Sequence, residues 1–312
     1  MFLLIYFLDG TVVKKEDFED NDLLNRKPLI GVLNKNELEE WNPYLGINDM
    51  VVSDSLTGLA SKFESHEGFD YIALNIPDKI NLYDKEIRIS IFFKMHLLLF
   101  ICEVQNEYAI LAEMIANIER KDIKNLTLER VLYEFFDQLT IGDSLFLKIF
   151  EQDISDLEEA LITSKKKDYI MEIISLRKKL LISKRYYEQL LDLAEAMEEN
   201  ENELLTKKMV HNFHIITNRI NRLSDSVLNL RDYVSQVREA YQAQVDINQN
   251  SIMRLFTVIT AIFLPLTLIV GWYGMNLQMP EYKWAYGYPM VIVISITVAL
   301  FSVIYFKKNK WF

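Results

Sequence analysis

One cysteine stands among 312 residues, Cys102, so no internal disulfide and no cysteine-based structural zinc cluster holds this chain together. Glycine and proline are scarce, nine and six, which excludes a collagen-like or low-complexity chain. Basic residues are in deficit. The 34 Lys and Arg against 45 Asp and Glu give a net charge of −11, which argues against a nucleic-acid partner because phosphate binding needs a basic surface. No glycine-rich phosphate loop, Ser/His/Asp set or HExxH pattern is present, and the chain is read as not an enzyme. The most informative absence is local: no Asp, Glu, Lys or Arg occurs in residues 255–277, and none in residues 285–306.

About 20 helical residues cross a ~30 Å hydrocarbon core, so each charge-free run is long enough to span a bilayer. Both runs follow residue 250, away from any N-terminal signal, and the apolar residues 1–8 are too few for one and read as a first β-strand. Arg254 precedes the first run, Lys307, Lys308 and Lys310 follow the second, and the link between them carries only Glu281 and Lys283. By the positive-inside rule both chain ends are expected in the cytoplasm and the link outside, in a multi-pass protein of the cytoplasmic membrane. Trp272, Tyr273, Tyr282, Trp284, Tyr286 and Tyr288 gather around the link as an interfacial aromatic belt, with Tyr305, Phe306, Trp311 and Phe312 at the other end. Pro289 fits the first turn of the second span, whereas Pro265 lies inside the first and should kink it or free a carbonyl.

Ahead of the spans, short β-branched or apolar runs at 2–7, 29–33, 71–76, 87–93 and 97–102 alternate with turn-rich or helical stretches such as 34–40, which reads as α/β. From Asn106 on the pattern turns helical, with runs at 126–147, 153–162 and 168–197. The expected fold class is an α+β membrane protein. Its expected parts are a cytoplasmic α/β domain (1–125), long cytoplasmic helices (126–250) that include a stalk helix (207–250), a first transmembrane helix (251–276), an extracellular loop (277–284), a second transmembrane helix (285–306) and a basic tail (307–312).

The stalk carries two registers. Phe213, Ile216, Ile220, Leu223, Val227, Leu230, Val234, Val237 and Tyr241 keep a 3,4 spacing, a coiled-coil-like packing seam. No breaker separates Lys207 from the first span, so one helix on the order of 100 Å is expected at ~1.5 Å per residue. In the second register Asp225, Asp232, Glu239 and Asp246 recur every seven residues, interleaved with Asn229, Gln236, Ala243 and Asn250. It continues as Met253, Thr257, Thr260, Leu264, Thr267, Gly271 and Gly274. A solvated helix face accounts for the cytoplasmic half, but lipid-facing positions gain nothing from Thr or Gly, whereas helix interfaces and water-filled pores use both. Two spans cannot enclose a pore, so conduction requires a ring of copies with this helix on its axis, where rings of carboxylates concentrate cations. The charge-free runs 255–277 and 285–306 also hold no His, which argues against an internal proton relay. His211 and His214, three apart, could ligate a metal given a third ligand, though surface or packing roles are commoner.

At the outer end of the first span stands Tyr273-Gly274-Met275-Asn276, with Asn250-Ser251-Ile252-Met253-Arg254 before the span and Phe263-Leu264-Pro265-Leu266-Thr267 within it. Met279-Pro280-Glu281, Lys283-Trp284, Gly287-Tyr288-Pro289 and Tyr305-Phe306-Lys307-Lys308 follow. In these segments the chain resembles the CorA-type magnesium transporters, in which Gly-Met-Asn closes the first of two C-terminal transmembrane helices. The resemblance implies a homopentamer in the lipid bilayer, with a cytoplasmic α/β/α domain feeding a funnel of long helices. It implies an entrance selectivity filter at Gly274, Met275 and Asn276 and pore-lining positions at Asn250, Met253, Thr267 and Gly271; the polar register adds Asp246, Thr257, Thr260 and Leu264 to that pore face, and Glu281 falls in the extracellular loop. The ion implied is Mg²⁺, transported and regulatory, with Co²⁺ or Ni²⁺ as further substrates. Regulatory ions in the family bridge neighbouring subunits through carboxylates, and Asp54 matches one such position. Ser53 and Ile215 stand where other acids would be expected, and Tyr282 replaces the usual leucine of the loop. A Zn²⁺ or Co²⁺ transporter of the same architecture, proton-coupled, and a non-conducting membrane-tethered scaffold or metal sensor remain as alternatives.

Overall fold

The computed structural model describes residues 4–8, 12–15, 28–102, 105–121, 126–163, 169–276, 279–309 and 311. The chain divides into two compact units, Met1–Val237 and Arg238–Phe312.

In the first unit seven strands form one sheet: β1 (Leu4–Leu8), β2 (Val12–Lys15), β3 (Leu29–Leu33), β4 (Lys62–His66), β5 (Phe69–Ile76), β6 (Ile87–Lys94) and β7 (Leu97–Ile101), in the order β2-β1-β3-β7-β6-β5-β4. Every neighbouring pair is antiparallel except β3 and β7, which run parallel with Leu29 opposite Leu97. The chain between these two must therefore cross the sheet. It does so through α1 (Lys35–Leu45) and α2 (Asp49–Thr57) before returning by β4, β5 and β6.

Both faces of the central strands are covered. Leu97, Leu99 and Ile101 of β7 join Leu38 and Leu45 of α1 and Val51 and Val52 of α2 in one buried cluster. Phe100, with the opposite parity, meets the Phe135 ring of α4 (Leu128–Thr140) at 5.5 Å. A strand buried on both faces reads as an unbroken apolar run, and that is why β7 was visible in the sequence. The result is the expected α/β/α layering. A reciprocal capping box starts α1: Glu37 N–H donates to Asn34 Oδ1 at 3.0 Å and Asn34 N–H to Glu37 Oε2 at 2.8 Å. Gly46, at φ 65°, ends it in the left-handed conformation.

The remaining helices are α3 (Gln105–Arg120), α5 (Asp143–Thr163), α6 (Ile170–Glu199), α7 (Lys207–Tyr273) and α8 (Gly287–Lys308). Two expectations need correction. The helical run at 126–147 is broken at Ile141-Gly142, where Gly142 takes φ 82°, and α5 begins at Asp143 rather than near 153. Asp143 is buried at that corner, paired with Lys79 and accepting a hydrogen bond from the Tyr187 hydroxyl at 2.9 Å. β4 was not anticipated, because Lys62, Glu64 and His66 alternate along it without an apolar face; pairing with β5 makes it a strand at the sheet edge.

The 3,4 seam of α7 finds its partner inside the same chain. Phe213, Ile216, Ile220, Val227 and Val234 are fully buried, and Phe213 meets the rings of Phe136 and Tyr133 on α4 at 5.6 and 6.0 Å. Polar ties reinforce it: Arg219 Nη1 reaches Asp137 at 2.7 Å and Thr140 at 2.9 Å, and the Tyr233 hydroxyl donates to Glu158 of α5 at 2.6 Å.

Candidate functional site

The apolar half of α7 and the whole of α8 lie in the second unit. Their most apolar stretches reach mean hydropathies of 2.2 and 2.4, yet almost none of those residues is buried in the chain. A core helix of a soluble protein shows the reverse, so these surfaces suit a lipid environment. Pro265 sits inside α7 and cannot donate to the Ala261 carbonyl one turn earlier. The hydroxyls of Thr257 and Thr260 donate to Met253 O at 2.9 Å and Phe256 O at 2.8 Å, so both satisfy their protons on their own helix and keep lone pairs free.

Thr260, Leu264, Thr267 and Gly271 line one open groove of about 810 Å³ along α7, with Met275 at its end and Phe263 and Trp272 on its walls. Four of the pore positions anticipated from the register therefore share a face. Met253 and Thr257 are exposed nearer the N-terminus of that helix, as are Asp246 and Asn250. Nothing lies within 4 Å of a Cβ built on Gly271. Gly274 is the opposite case: its N–H donates to Val270 O at 2.8 Å, and a Cβ there would sit 2.8 Å from the same oxygen. Glycine is thus what lets the chain leave the helix at this point, presenting Met275 and Asn276 on the surface. The Asn276 amide makes no hydrogen bond among the described residues.

Residues 277–278 fall outside the described residues, and the chain resumes at Met279. A 3-10 turn, Pro280–Lys283, carries Glu281, whose carbonyl accepts the Trp284 N–H at 3.0 Å. Gly287 opens α8 against that turn, where a Cβ would come within 2.5 Å of Glu281 O.

Of the acidic stripe, Asp225 and Asp232 belong to the first unit and Glu239 and Asp246 to the second, and all four are exposed. Asp232 shares a groove with Arg177, Lys178 and Arg231, cations that the heptad pattern gave no reason to place there. Asp54, near the end of α2, is likewise not a free acid. Lys62 Nζ lies 3.1 Å and Arg88 Nη2 3.9 Å from its Oδ2, and the Tyr71 hydroxyl donates to the same oxygen at 3.1 Å. Sequence reading missed this cluster because Lys62 and Arg88 come from β4 and β6, and only strand pairing brings them beside α2. His214 pairs with Glu198 at 2.9 Å, and among the described residues no three His, Cys, Asp or Glu side chains gather as a metal site.

An α/β domain continued by long helices into two apolar, unburied helices defines a multi-pass membrane protein. The chain belongs to the family described as "CorA-like Mg2+ transporter protein", whose model matches residues 32–308. The family is one of transporters rather than enzymes. The "Cobalt/magnesium transport protein CorA" of Thermotoga maritima is 27% identical over 303 residues, covering 94% of this chain and 85% of the relative. The "Magnesium transport protein CorA" of Wolinella succinogenes is 34% identical over 101 residues, about a third of each chain. Among solved structures, the complete CorA magnesium transporter of Methanocaldococcus jannaschii superposes with a TM-score of 0.81 at 21% identity, covering 100% of this chain and 99% of that one.

Proposed function

We propose that the chain assembles as a homopentamer in the cytoplasmic membrane and conducts Mg²⁺ inward, with α7 lining the pore. In this reading residues 1–250 form the cytoplasmic body, 251–276 and 285–306 the spans, 277–284 the external loop and 307–312 the cytoplasmic tail. The observation that carries the reading is the groove: weakly polar and small residues, Thr260, Thr267 and Gly271, share one exposed face of an otherwise apolar helix and lead to Gly274-Met275-Asn276. Only an assembly of copies gives that face a purpose, because lipid rewards none of those residues.

Mg²⁺ sheds its water reluctantly. A ring of Asn276 amide oxygens selects the hydrated ion through hydrogen bonds and releases it, where a carboxylate ring would hold it longer. The acidic stripe of Asp225, Asp232, Glu239 and Asp246 then concentrates the divalent ion on the cytoplasmic side. No ATP is required, since a divalent ion gains about 4.6 kcal/mol per 100 mV of inside-negative potential. Regulation by a divalent ion at Asp54 is weak in this chain, because Lys62 and Arg88 already neutralise that carboxylate.

The test is Mg²⁺ influx into proteoliposomes under an inside-negative potential. Wild-type flux that collapses with Asn276→Ala supports the proposal; absence of flux, or full flux with Asn276→Ala, overturns it. Competition by Co²⁺, Ni²⁺ and Zn²⁺ at several pH values in the same assay ranks the substrates, and Zn²⁺ preference with pH-dependent rates would assign the chain to proton-coupled zinc transport instead.

A further inference from the structure

Glu281 is the only acidic side chain after residue 250, in a stretch that carries five Lys and Arg. Among the described residues its carboxylate has no hydrogen-bond or ion-pair partner, so the backbone beneath it decides where the charge stands. That backbone is the 3-10 turn Pro280–Lys283, tied to the start of α8 by successive hydrogen bonds: Trp284 N–H donates to Glu281 O and Gly287 N–H to Trp284 O, each at 3.0 Å. The contact closes on Gly287. It is the only buried one among the described residues of 279–290, with Trp284, Tyr286 and Tyr288 exposed around it. A Cβ built on Gly287 would lie 2.5 Å from Glu281 O, 3.5 Å from Glu281 C and 4.0 Å from Glu281 Cβ. Gly287 does not have a positive φ, so space and not backbone conformation calls for glycine here. The nearest opposing atoms are backbone and cannot swing aside. Relaxed carbon–oxygen contacts lie near ~3.4 Å, so any side chain at 287 drives the turn, and Glu281 with it, away from α8 by about 1 Å.

We infer that Gly287 is a positioning residue for ion capture: having no side chain, it seats Glu281 where the carboxylate draws cations toward the mouth of the channel. The inference rests on the proposed conduction of Mg²⁺, in which Glu281 stands in the external loop. A carboxylate that collects ions without holding them acts through the field it sets up, and that field depends on position. Lys283 sits on the same turn with the opposite charge, so the net field depends on how the two are offset. In a ring of copies a displaced turn repeats on every copy, and the whole mouth changes at once.

The experiment is Mg²⁺ influx into proteoliposomes of the full-length protein under an inside-negative potential, followed across Mg²⁺ concentration to separate capture from permeation. For Gly287→Ala the half-saturating concentration should rise by about threefold or more with the maximal rate kept within about twofold, and Glu281→Gln should raise it by about tenfold. Both changes act through one charge, so the double variant should be no worse than Glu281→Gln alone. Added NaCl should raise the half-saturating concentration of the wild type more steeply than that of Glu281→Gln. Glu281→Asp withdraws the carboxylate by one methylene and leaves the turn and Gly287 untouched; it should raise half-saturation by about threefold, and it tests the need for position independently of how Gly287→Ala inserts. Ser295→Ala, about two turns further along α8, should change it by less than about twofold. Unchanged half-saturation in Gly287→Ala or Glu281→Asp, a fall in maximal rate alone, or additive losses in the double variant overturns the inference while wild-type flux persists. A wild type without Mg²⁺ flux overturns the proposed function itself, which is a separate result.

Discussion

Asp54 accepts the Tyr71 hydroxyl and lies 3.1 Å from Lys62 Nζ, so a divalent ion arriving there competes with an ammonium already in place. A partly exposed pair of this kind is worth about 1 kcal/mol net. Removing it with Lys62→Met should lower the Mg²⁺ concentration that half-inhibits flux by about three- to tenfold. An unchanged inhibition curve would show that Asp54 takes no part in regulation. A buried acid gives a pH prediction. Asp70 accepts from Asn202 at 2.7 Å and from Ser65 at 3.2 Å, yet burial outweighs both bonds and raises its pKa above the ordinary 3.8. With the folded pKa above the unfolded one, the folded chain prefers the neutral acid: the contribution is full below the unfolded pKa and is lost as pH rises through the folded value. Asp70→Asn keeps an acceptor for Asn202 without the charge. Its Tm should exceed that of the wild type at pH 7.5 and converge on it near pH 4; a constant difference across that range would contradict the assignment.

At the scale of elements, the two glycines of the proposed pore make opposite demands. Gly271 has open space around it within one chain, so Gly271→Leu together with Thr267→Leu leaves the helix intact and is felt only where copies meet. Mg²⁺ flux should fall by about tenfold or more, at normal expression and membrane insertion, for a lost transition-state contribution above about 1.4 kcal/mol. A scaffold without conduction would tolerate the change. Gly142 makes its demand through φ 82°, and Gly142→Ala should cost about 1 kcal/mol, read as a lower unfolding midpoint in denaturant. The corner at Gly142 and the edge strand β4 were also what the sequence hid. A helical pattern runs through Ile141-Gly142 without interruption, and Lys62–His66 has no apolar face to announce it. The membrane helices and the α7 seam were legible because their periodicity is long and their composition extreme, whereas the Asp54 cluster depends on pairing between β4, β5 and β6 that no local pattern encodes. The proposed pore face follows from the same long register, whereas the proposed filter rests on the resemblance of Gly274-Met275-Asn276 to the family motif. The partners of Asp54 and the cations sharing a groove with Asp232 were not readable.

For the whole molecule the governing quantity is charge. Residues 251–312 carry five Lys and Arg against one Glu, so the net −11 divides into about −15 before residue 251 and +4 after it. Copies brought together in a ring repel through their acidic bodies, and divalent ions relieve that repulsion in two separable ways. Diffuse screening depends on ionic strength alone, with a Debye length of about 8 Å at 0.15 M. Bound ions at discrete carboxylate pairs instead give a saturable response specific to the ion. With Asp54 neutralised inside its own chain and Ser53 and Ile215 offering no charge, the diffuse term is expected to dominate here. Limited proteolysis of the full-length protein separates the two. Cleavage rates in millimolar Mg²⁺ should stay within about twofold of those in NaCl of equal ionic strength for the wild type. Lys62→Met should restore a saturable protection by Mg²⁺ that NaCl does not reproduce. Strong, saturable Mg²⁺ protection of the wild type would mean that other carboxylates, among them the exposed Asp225, Glu239 and Asp246, bind the ion between copies, and the regulatory site would then have to be sought along α7 rather than at α2.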